Sequence, residues 1–137
     1  ALRMKGSTKS IAALLLLVLL TAAGCSAAPQ DAAYRQISMK EAAELMETQE
    51  DFILLDVRTE EEFAEQHIPG AICIPNEEIG AEEPHQLPDR EQLILVYCRS
   101  GNRSKQASQK LAELGYSNVV ECGGIQDWTG EIVSGAA

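Results

Sequence analysis

The sequence predicts an α/β domain built on a mainly parallel sheet. Four short apolar runs, at residues 52–57, 71–75, 93–98 and 118–122, are separated by polar segments that contain helical patterns. The runs are continuous rather than alternating, which is typical of strands buried on both faces of a parallel sheet. Because strands and helices alternate along 137 residues, we expect one domain with its own core.

Helix-start signals follow from the residues between these runs. Ser38 and Glu41 have the spacing of a capping box, in which a hydroxyl and a carboxylate bond the first free amides of a helix. Thr59 and Glu62 repeat this spacing ahead of a shorter segment. The segment 102–114 carries its apolar residues on one side and ends before a glycine, as helices commonly do. One helix is therefore predicted before the first run and two between later runs, and a final short helix is predicted to start at residues 125–128.

The start of the chain has the pattern of an export signal. An apolar run at residues 11–20 is too short to span a membrane but has the length of a signal-peptide core. Small residues then lead to Cys25, and this stretch resembles the lipobox of bacterial lipoproteins, although Ala22 stands where leucine is more common. We expect residues 1–24 to be a signal peptide, a lipid on Cys25 to anchor the protein extracytoplasmically to the bacterial membrane, and residues 25–36 to be a tether. The alternative is an ordinary secretory peptide.

The charge of the chain excludes some partners. Its formal net charge is −10, and removal of a signal peptide with three basic residues would make it more negative. So acidic a protein is not expected to bind nucleic acid, or an anionic lipid surface through its side chains. The four cysteines have no CxxC spacing and only two histidines accompany them, so no metal site is predicted.

Cys98 ends the third apolar run and is followed within five residues by a glycine and two arginines. A short turn through Gly101 can direct backbone N–H groups toward the sulfur, and the next helix adds the positive end of its dipole. Arg99 and Arg103 add full charges. These features favour the nucleophilic thiolate, and they would also stabilise a persulfide or an anion beside the sulfur. Because ligands bind at the carboxyl ends of parallel strands, Asp56, Cys98 and Gly123 are expected at one edge.

Three motifs resemble the rhodanese-like sulfurtransferases. CRSGNRS at 98–104 resembles the active-site loop of this family, LLDVRTEEEFAEQHIPGAICIP at 54–75 its first signature, and ECGGIQDW at 121–128 its closing element. The motifs stand in the family's order. The resemblance implies a three-layer domain at residues 37–133, with a mainly parallel five-stranded sheet flanked by helices, followed by a tail at residues 134–137.

The resemblance also implies an enzymatic function. Cys98 would take a sulfane sulfur from an anionic donor such as thiosulfate, become a persulfide, and pass the sulfur to a thiol or cyanide acceptor. No metal or organic cofactor is implied, and we expect a monomer. Asp56 and Arg58 would support the neighbouring loops, and His67 would bond backbone at its turn. The residues that would hold the persulfide and the donor are Arg99, Ser100, Gly101, Asn102 and Arg103.

Two other functions compete with sulfur transfer. A phosphatase or arsenate reductase on a related fold is disfavoured, because such enzymes resemble a Cys-x5-Arg pattern and four residues separate Cys98 from Arg103. A tetrahedral phosphate needs the wider loop. A sulfur-binding or redox-sensing module that uses Cys98 without turnover remains open.

The remaining cysteines allow different interpretations. Cys73 and Cys122 lie in apolar surroundings, which predicts buried free thiols. Cys122 also lies at the same predicted edge as Cys98, and a disulfide between the two is the alternative in an exported protein. Such a bridge requires Cα atoms within about 7 Å and side chains that face each other.

Overall fold

A computed structural model of the chain describes residues 33–136. The strands and α-helices follow in the order β1 (Arg35–Gln36), α1 (Met39–Thr48), β2 (Ile53–Asp56), α2 (Glu60–Glu65), β3 (Ile72–Cys73), β4 (Ile94–Cys98), α3 (Asn102–Glu113) and β5 (Val119–Gly124). Two 3₁₀ turns, Asn76–Glu78 and Ile125–Asp127, follow β3 and β5. The five strands form one parallel sheet in the order β1-β5-β4-β2-β3. The predicted α/β class and the five-stranded parallel sheet are confirmed.

The sheet separates two layers of buried side chains. On one face, Ala107 and Leu111 of α3 pack against Val96 and Cys98 of β4. On the opposite face, the α1 residues Met39 and Ala42 share a cluster with side chains of β2, β4 and β5. Alternation along β4 therefore sends Cys98 and its neighbour Tyr97 into different layers. This separation decides the environment of each cysteine.

Both predicted capping boxes are present. The Ser38 hydroxyl accepts a hydrogen bond from Glu41 N at 3.1 Å, and Glu41 Oε2 accepts one from Ser38 N at 2.7 Å. Thr59 and Glu62 make the same reciprocal pair at the start of α2. Each box satisfies amide groups that have no partner within the helix, so the sequence fixes where both helices begin.

The predicted domain boundaries change at both ends. Arg35–Gln36, predicted as the end of a tether, instead forms β1 and pairs with Val120 and Glu121 of β5. Both residues of β1 are polar and exposed, so no apolar run marks this strand in the sequence. At the other end, the tail is bonded to the domain, since Gly135 N donates to Ala64 O at 2.9 Å.

Several predictions lie outside the described residues. They are the signal peptide at 1–24, the lipid on Cys25 and the tether before residue 33. Within residues 33–136, no helix is long and apolar enough to cross a membrane.

Candidate active site

Cys98 lies at the carboxyl edge of the sheet, between the end of β4 and the start of α3. Asp56 at the end of β2 pairs with Tyr97, and Gly124 at the end of β5 pairs with Cys98. The structure therefore places Asp56, Cys98 and the Gly123–Gly124 pair at one edge of the sheet, as predicted. A register shift between Val96 and Cys98 marks the point where β4 leaves its regular pairing with β5.

The loop after Cys98 curls around its sulfur. Gly101 N donates to Cys98 Sγ at 3.0 Å, and Gly101 has a φ of 108°, a left-handed conformation that side chains disfavour. Burial of the thiol alone would raise its pKa. Hydrogen bonds from the Ser104 side chain and from the backbone N–H groups of Ser104, Gly101 and Ser100 outweigh burial, so that the pKa of Cys98 lies below its usual value. The predicted thiolate-stabilising turn thus has a defined set of donors.

Gly124 allows this loop to lie directly on β5. A Cβ atom at this position would overlap the carbonyl group of Arg99 and approach Ser100 Cα too closely. Two residues further along, Gln126 N donates a hydrogen bond to the same Arg99 carbonyl oxygen at 3.3 Å. Gly124 of the closing Gly-Gly motif therefore serves the active-site loop by permitting close backbone contact.

Arg103 makes a contact that the sequence did not predict. Its Nη1 and Nη2 atoms bond Glu62 Oε2 at 2.7 Å and Oε1 at 3.0 Å. This two-pronged pair ties α3 to α2 and lowers the pKa of Glu62 to about 2, chiefly through the side-chain hydrogen bond from Arg103. The role of Arg103 toward an anionic donor stays a prediction, and in this structure the Glu62 carboxylate holds the ends of its guanidinium.

Arg99 is exposed and lines a pocket of about 280 Å³ beside the loop. Two carboxylates, Glu62 and Glu65, and the amide side chains of Gln66 and Gln126 also line this pocket. Of the two arginines in the loop, Arg99 is the one without a salt bridge in the described part of the chain. Ser100 and Asn102 are exposed, and the backbone N–H group of Ser100 contributes to the lowered pKa of Cys98.

Asp56, at the end of β2, forms a buried salt bridge with Arg58. Arg58 Nη2 donates to Asp56 Oδ2 at 2.7 Å and to Gln66 O at 2.7 Å, and Arg58 N donates to Asp56 Oδ1 at 2.9 Å. These bonds connect the end of β2 to the end of α2. His67 continues the connection through its Nδ1 atom, 2.8 Å from Phe63 O. The supporting arrangement predicted for these residues is the one observed.

Cys122 faces away from Cys98. It is fully buried in the layer that contains Met39 and Leu54, whereas Cys98 lies in the opposite layer. Burial raises the pKa of the Cys122 thiol to about 12, with a further contribution from the charge of Glu121. The possible disulfide between Cys98 and Cys122 is excluded by this geometry, because the sheet stands between the two side chains. Cys73 is half-buried, and burial raises the pKa of its thiol to about 11.

Comparison with known proteins adds to this geometry. Residues 38–131 match the family described as the Rhodanese-like domain. The chain belongs to this family.

Individual relatives of this rhodanese-like domain support the same assignment. Thiosulfate sulfurtransferase PspE of Escherichia coli is 38% identical over 73 residues, which are 53% of this chain and 70% of that protein. The putative sulfur carrier protein YrkF of Bacillus subtilis is 31% identical over 97 residues, 70% of this chain and 51% of that protein. A solved rhodanese from E. coli, described as containing anions, superposes with a TM-score of 0.56 at 36% identity and covers 61% of this chain and 98% of its own.

Two site residues of this rhodanese-like domain were missed from the sequence. Ser104 is fully buried in the first turn of α3, with its Oγ atom 3.5 Å from Cys98 Sγ. Glu121 is only 3% exposed and places Oε1 at 2.5 Å from Ser104 Oγ. The signal for Glu121 was its position in an otherwise apolar buried strand, where a carboxylate requires a hydrogen-bonding partner. Among the described residues, no group of three or more His, Cys, Asp and Glu side chains could hold a metal ion.

Proposed function

We propose that this rhodanese-like domain is a sulfurtransferase that uses Cys98 as its nucleophile. The observation that carries the proposal is the position of the Cys98 sulfur within hydrogen-bonding distance of loop and helix N–H groups, which lowers its pKa. The thiolate attacks the sulfane sulfur of the donor, and the Cys98 persulfide retains that sulfur as the remainder of the donor leaves. An acceptor thiolate or cyanide then attacks the outer sulfur and restores the Cys98 thiolate.

The loop suits a small anionic donor. The N–H groups that stabilise a thiolate can also bond the negative charge of a persulfide one sulfur atom further out. Arg99, exposed at the pocket, attracts the donor, whereas the carboxylates of Glu62 and Glu65, which also line the pocket, limit the negative charge that it admits. Thiosulfate is the donor that the relative PspE is named for, and we propose it as the first donor to test.

The experiment is turnover of thiosulfate with cyanide by the purified protein and by matched cysteine variants. Cys98→Ser should reduce turnover to the background of the uncatalysed reaction, because a hydroxyl is not ionised at neutral pH and cannot form the persulfide. Cys122→Ala, on the opposite face of the sheet, should keep wild-type turnover. Activity that survives in a folded Cys98→Ser protein would reject the proposal.

A second candidate is a carrier that accepts sulfur without completing a turnover. It is favoured by the similarity to YrkF, which is named as a putative sulfur carrier protein. The assay with thiosulfate and cyanide also distinguishes a carrier from an enzyme. A carrier would acquire one sulfur atom on Cys98 and retain it in the presence of cyanide, whereas an enzyme would release thiocyanate repeatedly.

We also propose, from the sequence, that a lipid on Cys25 anchors the protein to the outer side of a bacterial membrane. The acyl chains of this lipid, and not the surface residues of the acidic domain, would then hold the protein at the membrane. Labelling with a fatty-acid analogue in a bacterial host should mark the full chain and leave Cys25→Ala unmarked. Equal labelling of both proteins would reject the anchor.

A further inference from the structure

The pocket beside the active-site loop is lined by four charged side chains, two of each sign. They are Arg58, Arg99, Glu62 and Glu65. Two of the four already have a partner, since Arg58 Nη2 lies 2.7 Å from Asp56 Oδ2 and Arg103 Nη1 lies 2.7 Å from Glu62 Oε2. In residues 33–136, no salt bridge includes Arg99 or Glu65. The pocket therefore presents one positive and one negative group to a molecule that enters it.

The charge of Glu65 does not stabilise its own helix. Glu65 is exposed and is the last residue of α2, where the negative end of the helix dipole disfavours a carboxylate. Its bond to the C-terminal segment uses the backbone, because Ser134 Oγ donates to Glu65 O at 2.9 Å. A substitution that removes only the charge of Glu65 should therefore leave the fold intact.

This pocket lies beside the sulfur that the proposed reaction uses. Arg99 follows Cys98 in the chain, and Gln126, which also lines the pocket, donates its backbone N–H to Arg99 O at 3.3 Å. Two further pockets, of about 380 and 450 Å³, contain no residue of the loop 98–104. A reagent bound next to Arg99 is therefore close to the residue that would carry the persulfide.

The size and charges of the pocket suit a small molecule with two charged groups. Its volume is about 280 Å³, at the lower limit of the roughly 300–1,000 Å³ of ligand pockets. Thiosulfate has no cationic group, so Glu65 repels this donor. The carboxylate can contribute favourably only in the second half of the reaction, when an acceptor replaces the remainder of the donor.

We propose that the pocket selects acceptor thiols that carry both an ammonium and a carboxylate group, as a thiol amino acid does. Glu65 is the specificity-determining residue for the ammonium group, and Arg99 binds the carboxylate. This inference rests on the proposed sulfur transfer through Cys98.

The transfer step conserves atoms and electrons. The acceptor thiolate attacks the outer sulfur of the Cys98 persulfide, and its electron pair forms the new S–S bond. The S–S bond of the persulfide breaks, and its electron pair returns to Cys98 as the thiolate. The acceptor leaves as a persulfide, and no oxidant or reductant is consumed.

The experiment measures how fast four related thiols remove the sulfur from Cys98. The full chain is incubated with thiosulfate, the excess donor is removed, and the loss of the additional sulfur from the Cys98 peptide is followed by mass spectrometry. Free cysteine carries both charged groups, cysteamine the ammonium alone, 3-mercaptopropionate the carboxylate alone, and 2-mercaptoethanol neither. Dividing the rate of a variant by the wild-type rate for the same thiol cancels the intrinsic reactivity of that thiol.

Glu65→Gln should slow the reaction with cysteine and with cysteamine about 1.4- to fivefold, the range of an exposed ion pair, and leave the rate with 2-mercaptoethanol unchanged. Arg99→Ala should slow the reaction with cysteine and with 3-mercaptopropionate, but not with cysteamine. Glu61→Gln is the matched control, because it removes the same charge from an exposed position of α2 outside the pocket. It should leave all four rates unchanged.

Equal slowing of all four thiols by Glu65→Gln, or no slowing of the two thiols that carry an ammonium group, would overturn the role of Glu65. Cyanide separates this inference from the proposed function. A protein whose Cys98 sulfur is removed by cyanide, but whose variants show no charge selectivity, would retain the proposed function and reject the acceptor class. A protein that acquires no sulfur on Cys98 would reject both.

Discussion

Cys98 is the last residue of β4 and Cys122 lies two residues before the end of the neighbouring strand β5, yet the pKa values of their thiols are shifted in opposite directions. Both are buried, at 1% and 0% exposure. Backbone N–H groups of the loop and of α3 surround Cys98, and its pKa lies below the usual value despite burial. Cys122 is packed among apolar side chains on the other face, and burial raises its pKa to about 12. The difference indicates that burial alone does not set the pKa of a cysteine in this domain, because the donors directed at the sulfur of Cys98 lower its pKa despite burial.

The largest effect on the reactivity of Cys98 is expected from a substitution at Gly101. Gly101→Ala places a side chain in a left-handed conformation, which costs about 1–2 kcal/mol, and the loop is expected to shift its N–H groups away from Cys98. Loss of one such donor reduces turnover on the order of 100-fold in comparable anion sites. The alkylation rate of Cys98 at neutral pH should fall with turnover. A change of the same kind at Gly70, which has a φ of 83° but lies outside the loop, should affect stability alone.

If Gly101→Ala kept both rates at wild-type values, the loop N–H groups would not be the source of the reactivity of Cys98.

A smaller effect is expected at Arg99. Arg99→Ala should raise the KM for thiosulfate by up to about fivefold with little change in kcat, because an exposed charge contributes roughly 0.2–1 kcal/mol to binding an anion. The salt dependence of kcat/KM should weaken in the same variant. Arg90→Ala removes an equal charge at an exposed position and should leave KM unchanged. A KM that responds equally to both changes would indicate a general effect of net charge.

The smallest effect is expected from the salt bridge between Arg103 and Glu62, which joins α3 to α2. The folded-state pKa of Glu62, about 2, is below its ordinary value of 4.5, so the carboxylate stabilises the fold above pH 4.5. This contribution should be lost as the pH falls from about 4.5 to about 2. Glu62→Gln keeps the capping box and should cost on the order of 1 kcal/mol at pH 7, measured by urea unfolding, with the difference from wild type shrinking in acid.

Glu41→Gln is the matched control, because Glu41 completes the other capping box without an arginine. It should show a smaller pH-dependent difference than Glu62→Gln. Equal differences in the two variants would show that the capping contacts, and not Arg103, stabilise the Glu62 carboxylate.

The sequence predicted features that depend on neighbouring residues in the chain. The capping boxes at Ser38 and Thr59, the long strands and the turn after Cys98 are local patterns, and the structure contains each of them. The motif resemblance added the fifth strand, which the pattern of residues 25–36 had not indicated. β1 has only two residues and depends on pairing with β5, so nothing local marks it.

The contacts that the sequence did not predict join residues distant in the chain. Glu62 and Arg103 are 41 positions apart, and Ser104 and Glu121 are 17 apart. Their pairing depends on where the sheet places α2, α3 and β5, which residue type and spacing do not specify. Alternation along β5 determines which face of the sheet Cys122 occupies. The register of β4 against β5 shifts near Cys98, however, so the sequence alone does not show that Cys98 and Cys122 lie on opposite faces.

The most direct test of the account is the mass of each cysteine-containing peptide after the protein is incubated with thiosulfate and the excess donor is removed. The account predicts one additional sulfur atom on the peptide that contains Cys98, and none on those with Cys73 or Cys122. Cyanide should then remove that sulfur. An unchanged Cys98 peptide, or additional sulfur on Cys122 to the same extent, would contradict the claim that the loop of residues 98–104 makes Cys98 the sulfur-accepting thiol.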